Sequence, residues 1–480
     1  MSDSQIVKRN SIFSFFSITS RLVANAFVLI FFAWFYGPRL FGQISYAHAA
    51  ASIFLVFADF GFDVLITTEI ARNRDRAEIL FNKYLSSKLL LTVGALLAMW
   101  AFIFIKQFSY EWALIIFIFS FYMFLTTITN FLFALFKGFE KYEYEAKVSL
   151  IMNTFLLVAS ILLMIIKADI KWICACFAIS RIPGLALSFS YLQHIFPRLK
   201  IRLNFEDFGR TLKKTLLFGL LLVSLNLFMQ VDTIILGIYK TEYEVGIYQA
   251  VIRIIMVFLI LPQIITNAVI PLLTRLNKED NSKWEKVGRM YYKGMFYAAS
   301  FIFLVLFLYP NEIIHLVYKD RFTDSAFVLK IFALTIAIRY MLEAMGVMLT
   351  TSQKQKTQML VAVSVTLFSL LANMIVIPKY SFNGAAIVCL VSNIMMMIGY
   401  LFTYRKMILK WMVKKYNIYP VIATIIMYTV FSNIHSLHFI SSIIIMLGVY
   451  GIIGFFLYLN KEERQMIFQN NNIITLLKSN

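Results

Sequence analysis

The chain has 480 residues, 60% of them hydrophobic and 15% charged, with a formal net charge of +20. An average soluble chain carries about 45–50% apolar and about 25% charged residues, so this composition excludes an ordinary soluble domain. Nucleic acid would need the Lys and Arg gathered on one water-exposed domain, whereas here they are dispersed into short loops, which excludes that partner.

One crossing of a bilayer takes about 20 mostly apolar residues at about 1.5 Å rise each. Such stretches follow one another almost without pause from Ser11 to Leu459. The run from Ser11 to Tyr36 is too long for a cleavable signal and reads as a retained first helix. Spans are predicted at 11–36, 43–69, 86–105, 112–136, 148–166, 172–193 and 215–238. A second set is predicted at 245–273, 294–317, 325–350, 357–378, 382–404, 417–435 and 439–459. The fold class is therefore all-α integral membrane, with fourteen transmembrane helices. With the N-terminus placed inside, roughly seven in ten of the Lys and Arg fall in the inner loops and tails, the distribution expected when both termini are cytoplasmic. Arg21, Arg181, Arg253 and Arg339 lie within spans.

The longest polar interruption is "IFPRLKIRLNFEDFGRTLKKT", Ile195 to Thr215. Pro197 bars helix continuation, and "FEDFGRTLKKTLLFG" has the apolar and basic spacing of an interfacial helix. The parts on either side look alike. "FGQISYAHAA" opens the second span at Phe41 and "VGIYQAVIRI" opens the eighth at Val245; the hairpins "FKGFEKYEYEAK" and "TSQKQKTQ" recur at a similar offset. A parallel six-helix repeat follows: an N-terminal lobe over 1–194, a cytoplasmic linker over 195–215 and a C-terminal lobe over 216–404. Two extra helices and a tail occupy 405–480. Such repeats place cargo between the lobes near the midplane.

"VDTIILGIYKTEYEVGIYQAVIRI", "LTTSQKQKTQ" and "VIPKYSFNGAAIVCLVSN" resemble, in order and spacing, segments of the bacterial polysaccharide flippases. These are the O-antigen translocase group of the multidrug/oligosaccharidyl-lipid/polysaccharide exporter superfamily. The resemblance implies two lobes in an inverted V in the bacterial inner membrane, moving an undecaprenyl-pyrophosphate-linked oligosaccharide to the outer leaflet by alternating access. For polysaccharide and lipopolysaccharide assembly it also implies H+ or Na+ coupling and contact with polymerase machinery. A Ser-Arg pair on the first helix matters in the lipid-linked peptidoglycan precursor flippase of the same superfamily, and "TSRLVANAFV" keeps that arginine as Arg21. The arginine and acid that follow in that pattern are Phe27 and Val28 here, which favours a sugar-repeat cargo.

The buried charges are the candidate site. Arg21 lies about 15 Å from the inner end of its helix, too deep to snorkel, and Asp59 reaches a comparable depth, so a structural Arg21–Asp59 pair and a pyrophosphate contact at Arg21 are both open. Arg181 precedes Pro183 and Gly184, which interrupt the backbone ladder beside protein or a wet cavity. Asp232 and Arg253 fall within reach of each other on neighbouring spans, as a structural pair or a charge switch. Arg339 and Glu343 stand one turn apart, with Glu343 open to pairing or to carrying a proton. Guanidinium forks match phosphate geometry, so Arg21, Arg181, Arg253 and Arg339 are the pyrophosphate-binding candidates, with Asp59, Asp232 and Glu343 as coupling or structural acids. His48 reads as a packing residue, and Asn226, Asn373 and Asn393 as interhelical glue. Cys174, Cys176 and Cys389 read as inert thiols.

Competing classes are a multidrug antiporter, a polymerase or lipid-dependent glycosyltransferase, and a membrane scaffold. A mildly cationic interior opposes cationic drugs. Every outer loop is short, the longest being "VYKDRFTDSA", and neither paired acids nor a metal-ligand cluster nor a phosphate-cradling glycine loop is visible. No enzymatic activity, metal or cofactor is expected. Buried charges are costly to keep without a pathway, which weighs against a scaffold.

Overall fold

The computed structural model describes residues 3–197, 201–205, 207–403, 411, 417–433 and 439–458. Over these residues the chain is helical almost throughout, because backbone polar groups in hydrocarbon must be satisfied within the segment that carries them. Helix α1 covers 3–36 and α2 covers 38–59, separated by a break at Gly37 with φ of 75°. After a second break at Phe60 and Gly61, α2 is extended by Phe62–Arg72. The next helices are α3 (Ala77–Lys106), α4 (Tyr110–Gly138), α5 (Tyr142–Ile165) and α6, which comes in two pieces, Ile170–Ile179 and Arg181–Ile195. Then follow α7 (Phe208–Tyr239), α8 (Glu242–Glu279), α9 (Asn281–Leu308, with Pro310–Tyr318 after it) and α10 (Ser325–Thr351). A merged stretch broken at Ser381 gives α11 (355–380) and α12 (382–403). The last two are α13 (Ile418–Asn433) and α14 (Phe439–Ile453).

Among the described residues, ten stretches are long and apolar enough to cross a membrane. Two of them, Ile12–Arg72 and Gln355–Thr403, each hold two helices either side of Gly37 and Ser381. With the shorter apolar α13 and α14, the described residues contain the fourteen helices that the sequence predicts.

Boundaries differ where polar residues find partners. Helix α3 starts at Ala77 rather than near 86, because its polar first turns are tied down: Lys83 Nζ meets Asp207 Oδ2 at 2.5 Å, and Ser86 Oγ accepts the Asn204 N–H at 2.9 Å. Helix α9 starts at Asn281 rather than near 294, since Asp280 accepts the N–H groups of Ser282 and Lys283, both at 3.0 Å. The basic stretch after Asp207 runs without interruption into α7.

Packing groups the chain into two compact units. The first comprises Met1–Arg253 and Ala362–Ala385. Its core includes Phe62 and Ile66 beyond the α2 break, Phe81 of α3, Phe131 and Phe136 of α4, and Met152 of α5. In this unit the two repeated glycines meet. A Cβ on Gly42 would stand 1.8 Å from the Glu242 carbonyl oxygen, and one on Gly246 would stand 2.0 Å from that of Pro38. Each glycine thus admits the start of the other's helix.

The second unit comprises Ile254–Val361 and Ala386–Asn480. Here α13 and α14 pack on α9 through Leu304, Met427, Phe431, Met446 and Tyr450. Trp284 Nε1 donates to Thr351 Oγ1 at 3.1 Å, joining α9 to α10.

Candidate functional site

Helix α6 begins at Asp169, whose carboxylate accepts the Lys171 N–H at 3.0 Å, and it is interrupted at Ser180. Pro183 explains the interruption, since it has no N–H to return to residue 179 and its ring crowds that carbonyl. The break sets Arg181 at the start of the second piece, where its side chain is 3% exposed. Its guanidinium carbon lies 5.2 Å from the centre of the Tyr122 ring, and Nη1 lies 3.9 Å from Met152 Sδ. Nε and Nη2 are buried with no hydrogen-bond partner, and among the described residues no carboxylate forms an ion pair with it. A guanidinium has five N–H donors, and leaving a buried charge uncompensated is among the costlier things a fold can do.

Other cations lie close by in the same unit. Arg21, on α1, is exposed on the protein surface and interacts electrostatically with Arg181. Arg253, on α8, is 8% exposed. His48, on α2, lies within electrostatic reach of both Arg253 and Arg181. Its ring packs among Phe119, Tyr122 and Phe177, as a packing residue should. Of the four arginines expected to meet a diphosphate, Arg21 and Arg181 therefore interact with each other within the first unit.

Asp59 is not Arg21's partner: its Oδ1 lies 2.5 Å from Lys88 Nζ, and Asp63 Oδ1 lies 2.8 Å from the same nitrogen. Lys88 wins because α3 starts earlier than predicted, which carries Lys88 about 16 Å along the helix to the level of the α2 break. Arg21 forms no ion pair among the described residues. Asp232 of α7 is 5% exposed and accepts from Tyr248 at 2.7 Å and Asn373 at 2.6 Å. Gln249 donates to Thr233 at 2.6 Å beside it, so α7 and α8 do meet at this acid.

In the second unit, Arg339 Nε donates to Asn393 Oδ1 at 3.3 Å. Glu343 accepts from Thr266 at 3.0 Å and forms no ion pair among the described residues. Thr266 also bonds the Tyr291 hydroxyl at 2.6 Å, which links α8, α9 and α10. Asn373 and Asn393 thus do hold helices together, whereas Asn226 lines a cavity in the first unit. The three cysteines are buried free thiols, and no group of metal-ligating side chains is assembled among the described residues.

Lys88 and Asp63 were missed in the sequence. The available signal is "SSKLLL", a lysine behind two serines in an otherwise apolar segment.

Residues 7–277 match the family described as polysaccharide biosynthesis protein. The chain belongs to that family. The capsular polysaccharide biosynthesis protein CapF of Staphylococcus aureus is 22% identical over 169 residues, spanning 34% of this chain and 42% of the relative. Among solved structures, the lipid II flippase MurJ in an inward closed conformation aligns with a TM-score of 0.73 at 16% identity, covering 96% of this chain and 99% of that one. An inward-facing multidrug resistance MATE transporter of the MOP superfamily aligns at 0.63 and 13% identity, covering 81% and 94%. The fold of this family member is thus that of the MOP transporters, a multi-pass membrane architecture.

Proposed function

We propose that the protein is a flippase that carries undecaprenyl-pyrophosphate-linked oligosaccharide repeats from the inner to the outer leaflet of the bacterial cytoplasmic membrane. Two lobes, 1–194 and 216–404, rock to give alternating access, both termini lie in the cytoplasm, and an H+ or Na+ gradient drives the cycle. Membership of a polysaccharide biosynthesis family supports a sugar-polymer precursor as cargo, and the transporter fold supports movement over catalysis.

The observation that carries the reading is Arg181, a buried guanidinium with two donor nitrogens unmatched. A diphosphate diester is a dianion, and its oxygens suit guanidinium donors in paired geometry. Arg21 adds positive charge near Arg181, so a lipid diphosphate entering there is attracted and desolvated together with its partners. A cationic drug would meet like charge there. Arg181 is enclosed in this conformation, so cargo reaches it only when the surrounding helices part.

The test is leaflet exposure of the lipid-linked repeat in cells depleted of this protein. The reading expects repeats to accumulate in the inner leaflet and to reappear outside on re-expression. Unchanged outer exposure removes the flippase reading, and lost polymer with normal exposure points to a polymerase step.

A further inference from the structure

The first unit contains a cavity of about 360 Å³ whose polar lining is Asp59, Asp63, Lys88, Thr127, Asn130 and Asn226. Lys88 is fully buried and its ammonium bridges both carboxylates, at 2.5 Å to Asp59 and 2.8 Å to Asp63. Two acids and one base leave a net charge of −1 within apolar spans. A one-to-one pair would have closed the charge balance, so the second carboxylate is the feature to explain.

Among the described residues, the rest of the cavity lining does not compensate it. Helix α4 contributes Thr127 and Asn130 to the lining, and α7 contributes Leu222, Leu225, Asn226 and Met229; none of these ionises. The Phe131 ring lies 6.0 Å from the ammonium and adds only a weak contact to the cation itself. The two acids are also unequal. Asp59 accepts both from Lys88 and from the Asp63 backbone N–H at 3.2 Å, whereas among the described residues the cation or N–H donor to the Asp63 carboxylate is Lys88. Asp63 is the more open of the two, with its side chain 25% exposed against 15%. Asn226 Oδ1, on the cavity wall, is a buried acceptor with no hydrogen-bond partner. At about 30 Å³ per water, the space holds several molecules able to satisfy that oxygen and to reach Asp63.

We propose that Asp63 is a proton-binding site: hydronium in the cavity transfers its proton to the Asp63 carboxylate, leaving water and a neutral cluster in which Lys88 pairs with Asp59. Release reverses the step, with cavity water accepting the proton. The ammonium already occupies the position between the acids, which disfavours a metal cation there. Use of this proton as the coupling ion rests on the transport reading above, but the site itself does not.

The test is infrared difference spectroscopy on the full-length protein in liposomes without cargo, between mildly acidic and mildly alkaline buffer. The expected result is the C=O stretch of a protonated carboxylic acid on the acidic side, absent in Asp63→Asn, a neutral mimic of the protonated form that keeps the fold. Lys88→Gln serves as the second variant: with the cation gone, two carboxylates hold a proton more tightly and the band should persist to more alkaline pH. A wild-type spectrum without the band, a band unchanged in Asp63→Asn, no alkaline shift in Lys88→Gln, or a band abolished by exchanging potassium for sodium would each overturn the assignment.

Discussion

Replacing Arg181 by Met should make the protein more stable and stop transport. The wild-type side chain is 3% exposed, with Nε and Nη2 unsatisfied and, among the described residues, a thioether sulfur as its one hydrogen-bond acceptor. An uncompensated buried ion costs several kcal/mol even after relaxation, and stacking on a desolvated aromatic ring such as Tyr122 returns about 2 kcal/mol of that. Methionine is unbranched, fills the same path and carries no charge, so the exchange should stabilise the fold by about 1–3 kcal/mol. The assay is the unfolding midpoint of both proteins in the same detergent, paired with leaflet exposure of the lipid-linked repeat. A higher midpoint with lost export is the expected pair of results, since function then retains a group that stability would discard. A lower midpoint would mean that the guanidinium is structurally paired, and normal export in Arg181→Met would remove it from the cargo path.

Further outcomes follow from local geometry. Gly42→Ala and Gly246→Ala each force a methyl into a backbone carbonyl and should cost about 1–3 kcal/mol of packing at that end of the bundle. Disulfide yield between Arg39→Cys and Glu242→Cys, whose native side chains approach to 3.9 Å, should fall in either alanine variant; an unchanged yield contradicts the reciprocal fit. Asn373→Ala removes a donor to a buried carboxylate and should destabilise by about 1.5–3 kcal/mol, whereas a neutral effect on the unfolding midpoint would show Asp232 satisfied without it. The Lys83 hydrogen bond and charge hold the Asp207 carboxyl below its ordinary 3.8. A depressed carboxyl contributes above its unfolded value and loses that contribution as pH falls through the folded one. Protection of the Asn204 amide from hydrogen exchange, taken relative to its intrinsic rate at each pH, should therefore fall only in strong acid, and Lys83→Ala should abolish that dependence; an unchanged acid profile in Lys83→Ala would refute the link.

The helices were legible because long apolar runs admit one backbone solution in hydrocarbon, and Pro183 marked the interruption in α6 from sequence alone. Gly42 and Gly246 were legible as a repeat, although their mutual contact depends on three-dimensional closeness that spacing does not encode. Arg21 and Asp59 illustrate what was not legible. Depth along a helix makes two charges eligible to pair, but rotation about each axis decides, and that rotation delivered Asp59 to Lys88. Lys88 itself was hidden by a helix start nine residues earlier than the apolar pattern suggests, a start set by Asp207 and Asn204 from distant sequence. Asn226 shows the same limit: an amide on an apolar span reads as interhelical glue until a cavity is found beside it.

The most direct test of the cationic region is the thermal shift given by undecaprenyl pyrophosphate, compared with undecaprenyl monophosphate, on wild-type protein and Arg181→Ala. The account expects the diphosphate to raise the wild-type midpoint more than the monophosphate does, and expects that difference to vanish in the variant. Equal shifts for both lipids, or an undiminished diphosphate shift in Arg181→Ala, would contradict it.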